Sequence, residues 1–167
     1  MRRVMFGSVC CLGIMGGAWA QVELPKAALL PHSLAQQAVT AAVEQCEKDG
    51  YMVAAAVVDR SGVVVAQTRH YRAGAHTVDS SKRKAYTSAS LREPTQKLAL
   101  LVAKTPAIQS LQHMNEQVLL LGGGLPIKMA GEVIGGIGVG GAPGAQLDER
   151  CARAGLESIG ADRYSEE

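Results

Sequence analysis

Two short apolar runs, Met52–Val58 and Val63–Gln67, are separated only by Asp-Arg-Ser-Gly, and this spacing constrains the fold more than any other feature of the chain. Val-rich runs of this length read as strands. Four residues of turn chemistry are too few for a crossover and enough for a hairpin. The two strands are therefore expected to be antiparallel neighbours. Their continuous rather than alternating hydrophobicity predicts that both are substantially buried.

Helical patterns surround this hairpin. Residues 33–49 place Leu34, Ala38, Ala41, Ala42 and Val43 on one side, with Ser33 as the expected N-cap and Gly50 as the stop. Asp79 opens a second helical stretch that ends before Pro94. A third runs from Thr95 to about Ala103, and a last one from about Leu147 to Ile159 with Asp148 and Glu149 in its first turn. Between Arg69 and Ser81 the chain is polar, and regular structure is not expected. The run Val118–Leu121 and the segment Lys128–Ala130 flank GGGLP at 122–126, read as a turn, and Glu132–Val139 reads as a glycine-spaced strand. The order helix, strand, strand, helix, helix, strand, strand, helix, with hairpins joining the strands, predicts an α+β fold: an antiparallel sheet with the terminal helices packed on it.

The N-terminus carries a different signal. Arg2 and Arg3 precede an uncharged run from Val4 to Ala20 that closes on Ala18-Trp19-Ala20, the pattern of a secretory signal peptide cleaved before Gln21. The apolar stretch is short and holds four glycines, which disfavours a stable membrane anchor. The expected organisation is a signal peptide at 1–20, an N-terminal extension at 21–32, one domain at 33–160 and a tail at 161–167, in a periplasmic or secreted protein. Seventeen Lys and Arg less Arg2 and Arg3 leave fifteen, equal to the fifteen Asp and Glu, so the processed chain is formally neutral. Of four cysteines only Cys46 and Cys151 remain. A disulfide requires their two helices to pack side by side; the alternative is two small buried residues.

Charge is concentrated even in a neutral chain. Nine basic residues, at 60, 69, 72, 82, 83, 84, 92, 97 and 104, face only Asp79 and Glu93 between Arg60 and Lys104. An anionic small molecule fits this bias, or else Lys82, Arg83 and Lys84 form a solvated helix face. Export and the scarcity of interleaved aromatics argue against nucleic acid. His70 and His76 border the tract, beside Tyr71 and Arg72, and an imidazole next to guanidinium groups can ligate a haem iron while the cations hold propionates. His113 is a further iron-ligand candidate by residue type, and His32 is more readily a helix-flanking polar residue. No C-x-x-C-H, zinc spacing, G-x-G-x-x-G fingerprint, Walker motif or G-x-S-x-G occurs. Glycines such as Gly122 and Gly123 instead permit close backbone approach, as a flat ligand or a packed subunit requires.

Taken in order, VAAAVVDRSGVVVAQTR, VDSSKRKAYTSASLREPT and GGGLPIKMAGEVIGGIGVGGAPGAQLDERCARAGL resemble the GlcG/HbpS family of haem-binding proteins and the related C-terminal domain of PduO-type proteins. The likeness spans about 33–160 and is most specific from GGGLPIK to DERCARAGL. It implies a profilin-like fold, assembly into a homo-oligomer, and haem or another tetrapyrrole as ligand, with roles in haem storage, iron handling or redox sensing. Enzymatic activity is not a settled property of the family. The resemblance carries no axial ligand onto this chain; residue chemistry makes His70, His76 or His113 the iron candidates and Arg72, Lys82, Arg83, Gly122 and Gly123 the candidates for the ligand's periphery. HYRAGAHT departs from the family's usual R-x-D-G-A connection and adds both loop histidines. Cys151 matches a frequent helix cysteine of the family, which favours the buried reading over a disulfide. The competing function is an accessory or small organic-acid-binding subunit serving a periplasmic enzyme or sensor; a haem-dependent peroxidase or haem-degrading oxygenase is a third.

Overall fold

A computed structural model describes residues 23–164. The expected signal peptide lies outside them. Four strands, β1 (Ala54–Asp59), β2 (Val64–Arg69), β3 (Gly124–Met129) and β4 (Glu132–Gly140), form one sheet in the order β2-β1-β4-β3, antiparallel throughout. Helices α1 (His32–Lys48) and α4 (Ala145–Ser158) cover one face, and α2 (His76–Leu91) covers the other. A shorter helix, α3 (Thr95–Lys104), and a 3-10 helix (Pro106–His113) form an excursion between α2 and β3. The expected α+β architecture is the observed one. Among the described residues no helix is long and apolar enough to cross a membrane.

Each hairpin follows from its turn. In the first, Asp59 Oδ1 accepts hydrogen bonds from the backbone N–H groups of Ser61 (2.8 Å) and Val63 (3.0 Å), so one carboxylate organises the reversal. The second reverses over two residues, Ala130 and Gly131, at φ 51° and 81°. Positive φ at both central positions is the turn geometry that matches strand twist.

The two sheet faces are built differently. Toward α1 and α4 point Ala55, Val57, Leu125, Ile127, Ile137 and Val139, which join Ala35, Ala38, Val39, Ala42 and Leu156 in the main core. The buried positions of α1, at 35, 38, 39, 42 and 46, repeat with helical period. Toward α2 the apolar cluster is small, Ala56 and Val58 packed with Ala85 and Ala89. On that face β4 carries Gly136, Gly138 and Gly140. A Cβ at Gly138 would lie 2.5 Å from the Ala85 backbone nitrogen and closer still to the Ser81 carbonyl oxygen. The alternating glycines let the helix backbone approach the sheet. Gly138→Ala is expected to cost about 1–3 kcal/mol through overpacking, measurable as a lower denaturation midpoint with an unchanged m-value; an unaltered midpoint would show that α2 does not sit this close.

Several local expectations are corrected. The helix expected to open at Asp79 begins at His76, after Ala75, and Thr77 in its first turn donates its hydroxyl back to the Gly74 carbonyl (2.7 Å). Ser33 is not the N-cap of α1, which starts at His32 after Pro31. The expected turn at 122–126 is instead the approach to and start of β3, and Val118–Leu121 lies outside the sheet. Pro126 is tolerated there because β3 is an edge strand. Cys46 and Cys151 form a disulfide, with Cα atoms 5.5 Å apart. The resemblance pointed the other way; packing of α1 on α4 supplies the proximity. Leu30 contributes to the core, and Ala161 and Tyr164 pack against it.

Candidate functional site

The structure distributes the basic tract rather than gathering it. Arg60 pairs with Glu132 (3.1 Å) and Lys97 with Glu93 (3.2 Å). Arg69 donates to the carbonyls of His70, Tyr71 and Ala73 and so holds the loop after β2. Arg83 donates to the Val118 carbonyl (2.8 Å), tying α2 to the segment before β3. Lys84 is buried. Arg72, Lys82, Arg92 and Lys104 make no ion pair among the described residues. Much of the apparent excess of positive charge is therefore structural.

The three candidate histidines occupy three environments. His70 is 9% exposed. Its Nδ1 accepts from the Arg72 backbone N–H (3.2 Å), and its Nε2 lies 3.5 Å from Glu47 Oε1. The accepting Nδ1 places the proton of the neutral ring on Nε2, facing the carboxylate. Both nitrogens are thus engaged. His113, last residue of the 3-10 helix, is exposed beside Met114 on the α3 excursion. His76 is the first residue of α2, exposed, with its imidazole lying along Gly74: a Cβ there would meet His76 Cε1 at 2.6 Å. Arg72 and the 79% exposed Tyr71 sit on the same loop. Tyr71 and Arg72 on the α2-leading loop and His76 at the start of α2 are exposed within one short stretch of chain and offer an aromatic ring, a guanidinium and an imidazole. Lys82 is half-buried further along α2.

Gly122 and Gly123 have structural duties. A Cβ on Gly122 would meet Ala145 Cβ at 2.8 Å as well as the Gln96 side chain, and Gly123 at φ 109° would crowd Asp148 Cβ and the Val139 carbonyl, both at 2.7 Å. They let the chain pass under a buried ion pair that sequence reasoning missed. Lys84 Nζ donates to Asp148 Oδ2 (2.8 Å) and to the Val139 carbonyl (2.9 Å), while Asp148 Oδ1 accepts from the Ala142 N–H (2.9 Å). The two residues are 1% and 4% exposed. Burial raises the Asp148 carboxyl above its ordinary range, and Lys84 and the neighbouring amides pull it back down. The available signal was position: Lys84 falls on the same helix face as buried Ser81, Ala85 and Ser88.

A family model described as haem degrading protein HbpS-like matches residues 30–157. The crystal structure of a Streptomyces reticuli HbpS double mutant is 39% identical, with a TM-score of 0.75 over 90% of this chain and 97% of that one. The crystal structure of a PduOC–haem complex, 24% identical with a TM-score of 0.75 over 83% of this chain and all of the other, shares the fold. An uncharacterised 15.0 kDa protein from the dhaT–dhaS intergenic region of Citrobacter freundii is 37% identical over 86 residues, 51% of this chain. The match spans 61% of that relative's length.

Proposed function

Because the chain belongs to the HbpS-like family, matched over residues 30–157, we propose that it binds haem outside the cytoplasm. The observation that carries the reading is this family membership. It is supported locally by a donor set of the right chemistry: an exposed imidazole at the start of α2 with a guanidinium on the adjoining loop. Haem, when bound, supplies an iron that accepts an imidazole as axial ligand. On this chain His76 is the ligand of choice, since the nitrogens of His70 are occupied by Arg72 and Glu47. Arg72, and Lys82 along the helix, are free to meet propionates, whereas Arg83 is held by the Val118 carbonyl. Arg69 fixes the loop that carries Arg72 by donating to the carbonyls of His70, Tyr71 and Ala73.

Export is supported by the leader sequence and by the Cys46–Cys151 disulfide, a bond that persists in oxidising compartments. Storage, iron handling and redox sensing are roles consistent with that location. Haem degradation is a second reading, favoured by the family description, and it predicts loss of haem absorbance with time when a reductant is supplied. A homo-oligomer would cover the exposed Leu100, Leu101, Met114 and Leu121 of the α3 excursion.

The residue assignment is tested by substitution. His76→Ala is expected to weaken haem binding at least tenfold and to change the position of the Soret band, with His70→Ala affecting stability more than the spectrum. A spectrum unchanged in His76→Ala but lost in His113→Ala would move the ligand to the 3-10 helix.

A further inference from the structure

A groove of about 600 Å³, with no histidine in its lining, opens between the β3–β4 hairpin and the α2–α3 junction, lined by Arg60, Arg92, Lys128, Ala130, Gly131 and Glu132. Two features single it out. Its cations are unequally committed: Arg60 pairs with Glu132 (3.1 Å), while Arg92 and Lys128 make no ion pair among the described residues. Lys128 has only the face of Tyr164, 4.8 Å from its ammonium. The one carboxylate in this lining, Glu132, is engaged by Arg60, and Asp162, outside it, accepts from the Gly131 N–H (2.7 Å).

The second feature is conformational. The positive-φ residues other than glycine among those described are two: Ala130 at 51°, which the hairpin turn accounts for, and Arg92 at 59°, which lines this groove. Arg92 ends α2 in the left-handed conformation, a position where glycine is the usual residue because a side chain there costs about 1 kcal/mol. A cation does favour a helix C-terminus. The side chain is nonetheless carried into a groove that already holds a second unpaired cation. Left-handed non-glycine residues concentrate where a ligand is clamped.

We infer that this groove is a binding site for a small oxyanion carrying two or more negative charges, a di- or tricarboxylate or a phosphate, held by the Arg92 guanidinium and the Lys128 ammonium with Arg60 at its edge. The planar fork of arginine suits paired oxygens, and lysine adds a point charge. The site is independent of the haem reading, since it uses none of His70, His76, Arg72 or Lys82.

The test is thermal stability of the processed, haem-free protein titrated with citrate and, separately, inorganic phosphate, each against sodium chloride at equal ionic strength. A ligand confined to the native state raises the midpoint by mass action. The wild type is expected to gain stability from citrate or phosphate beyond the salt control. Arg92→Gly is the informative variant because it relieves the left-handed residue: its ligand-free midpoint should equal or exceed that of the wild type, while its apparent affinity falls about tenfold or more. Lys128→Gln should weaken binding in the same direction. Equal shifts from chloride at matched ionic strength, or a full ligand response in Arg92→Gly, would overturn the assignment. Haem absorbance, followed in parallel, should be the same in Arg92→Gly as in the wild type, which separates failure here from failure of the haem reading.

Discussion

Lys84→Met should lower the unfolding free energy by about 3–5 kcal/mol, the largest effect expected of a single side chain here. Methionine keeps the aliphatic length and removes the ammonium, leaving the Asp148 carboxylate buried with the backbone amides of Ala142 and Gly141 as its remaining donors and the Val139 carbonyl without Lys84. The charge that remains, not the attraction that is lost, sets the size of the penalty. The pH dependence follows in sign. Burial already raises the folded-state pKa of Asp148, and removing Lys84 raises it further. A carboxyl with a raised folded pKa is protonated more readily in the native than in the unfolded state, so the loss is greatest above the folded pKa and shrinks as pH falls through it. Lys84→Met/Asp148→Leu should recover most of the stability, since no buried charge is left. Denaturation of the three variants at neutral and mildly acidic pH checks this. A Lys84→Met loss under 1 kcal/mol, or one that grows toward acid, would contradict the buried pair.

Removal of the Cys46–Cys151 bond should cost about 2–5 kcal/mol. The bond joins α1 to α4 across a sequence separation of 105 residues, so it restricts the unfolded chain strongly. Cys46→Ala/Cys151→Ala is the suitable variant, since changing one cysteine leaves a reactive thiol. Both positions are fully buried among small side chains, and alanine fits with little repacking. Chemical unfolding of oxidised, reduced and doubly substituted protein should place the reduced and substituted forms together, well below the oxidised one. Two free thiols in protein purified from an oxidising compartment, or equal midpoints for all three, would remove this support for export.

These effects bear on what the sequence made legible. The Asp59–Gly62 turn, the helical periods of α1 and α4 and the glycine spacing of β4 each reflect local chemistry, and together they carried the sheet topology and its two helical layers. What stayed hidden depends on contacts between distant segments. Lys84 meets Asp148 across 64 positions, and within the run Lys82-Arg83-Lys84 nothing local separates a buried lysine from its solvated neighbours. Only the registry of α2 over the glycine face of β4 does so. The Cys46–Cys151 pairing likewise required α1 and α4 to share a face of the sheet. At the site, spacing drew attention to His70 and His76 equally. The structure separates them because the chain returns β2 beside the end of α1, where Glu47 and the Arg72 amide take up His70. The strand start at Gly124 was masked by its glycines, which read as a turn until Lys84, Thr95 and Asp148 are seen packed against them.

Haem binding by this chain is measured by titrating haem into the protein processed at Gln21 and following the absorbance. A saturable, shifted Soret band at micromolar haem, with an endpoint set by a fixed ratio to protein, is the predicted result. A spectrum that stays that of free haem throughout the titration would contradict it.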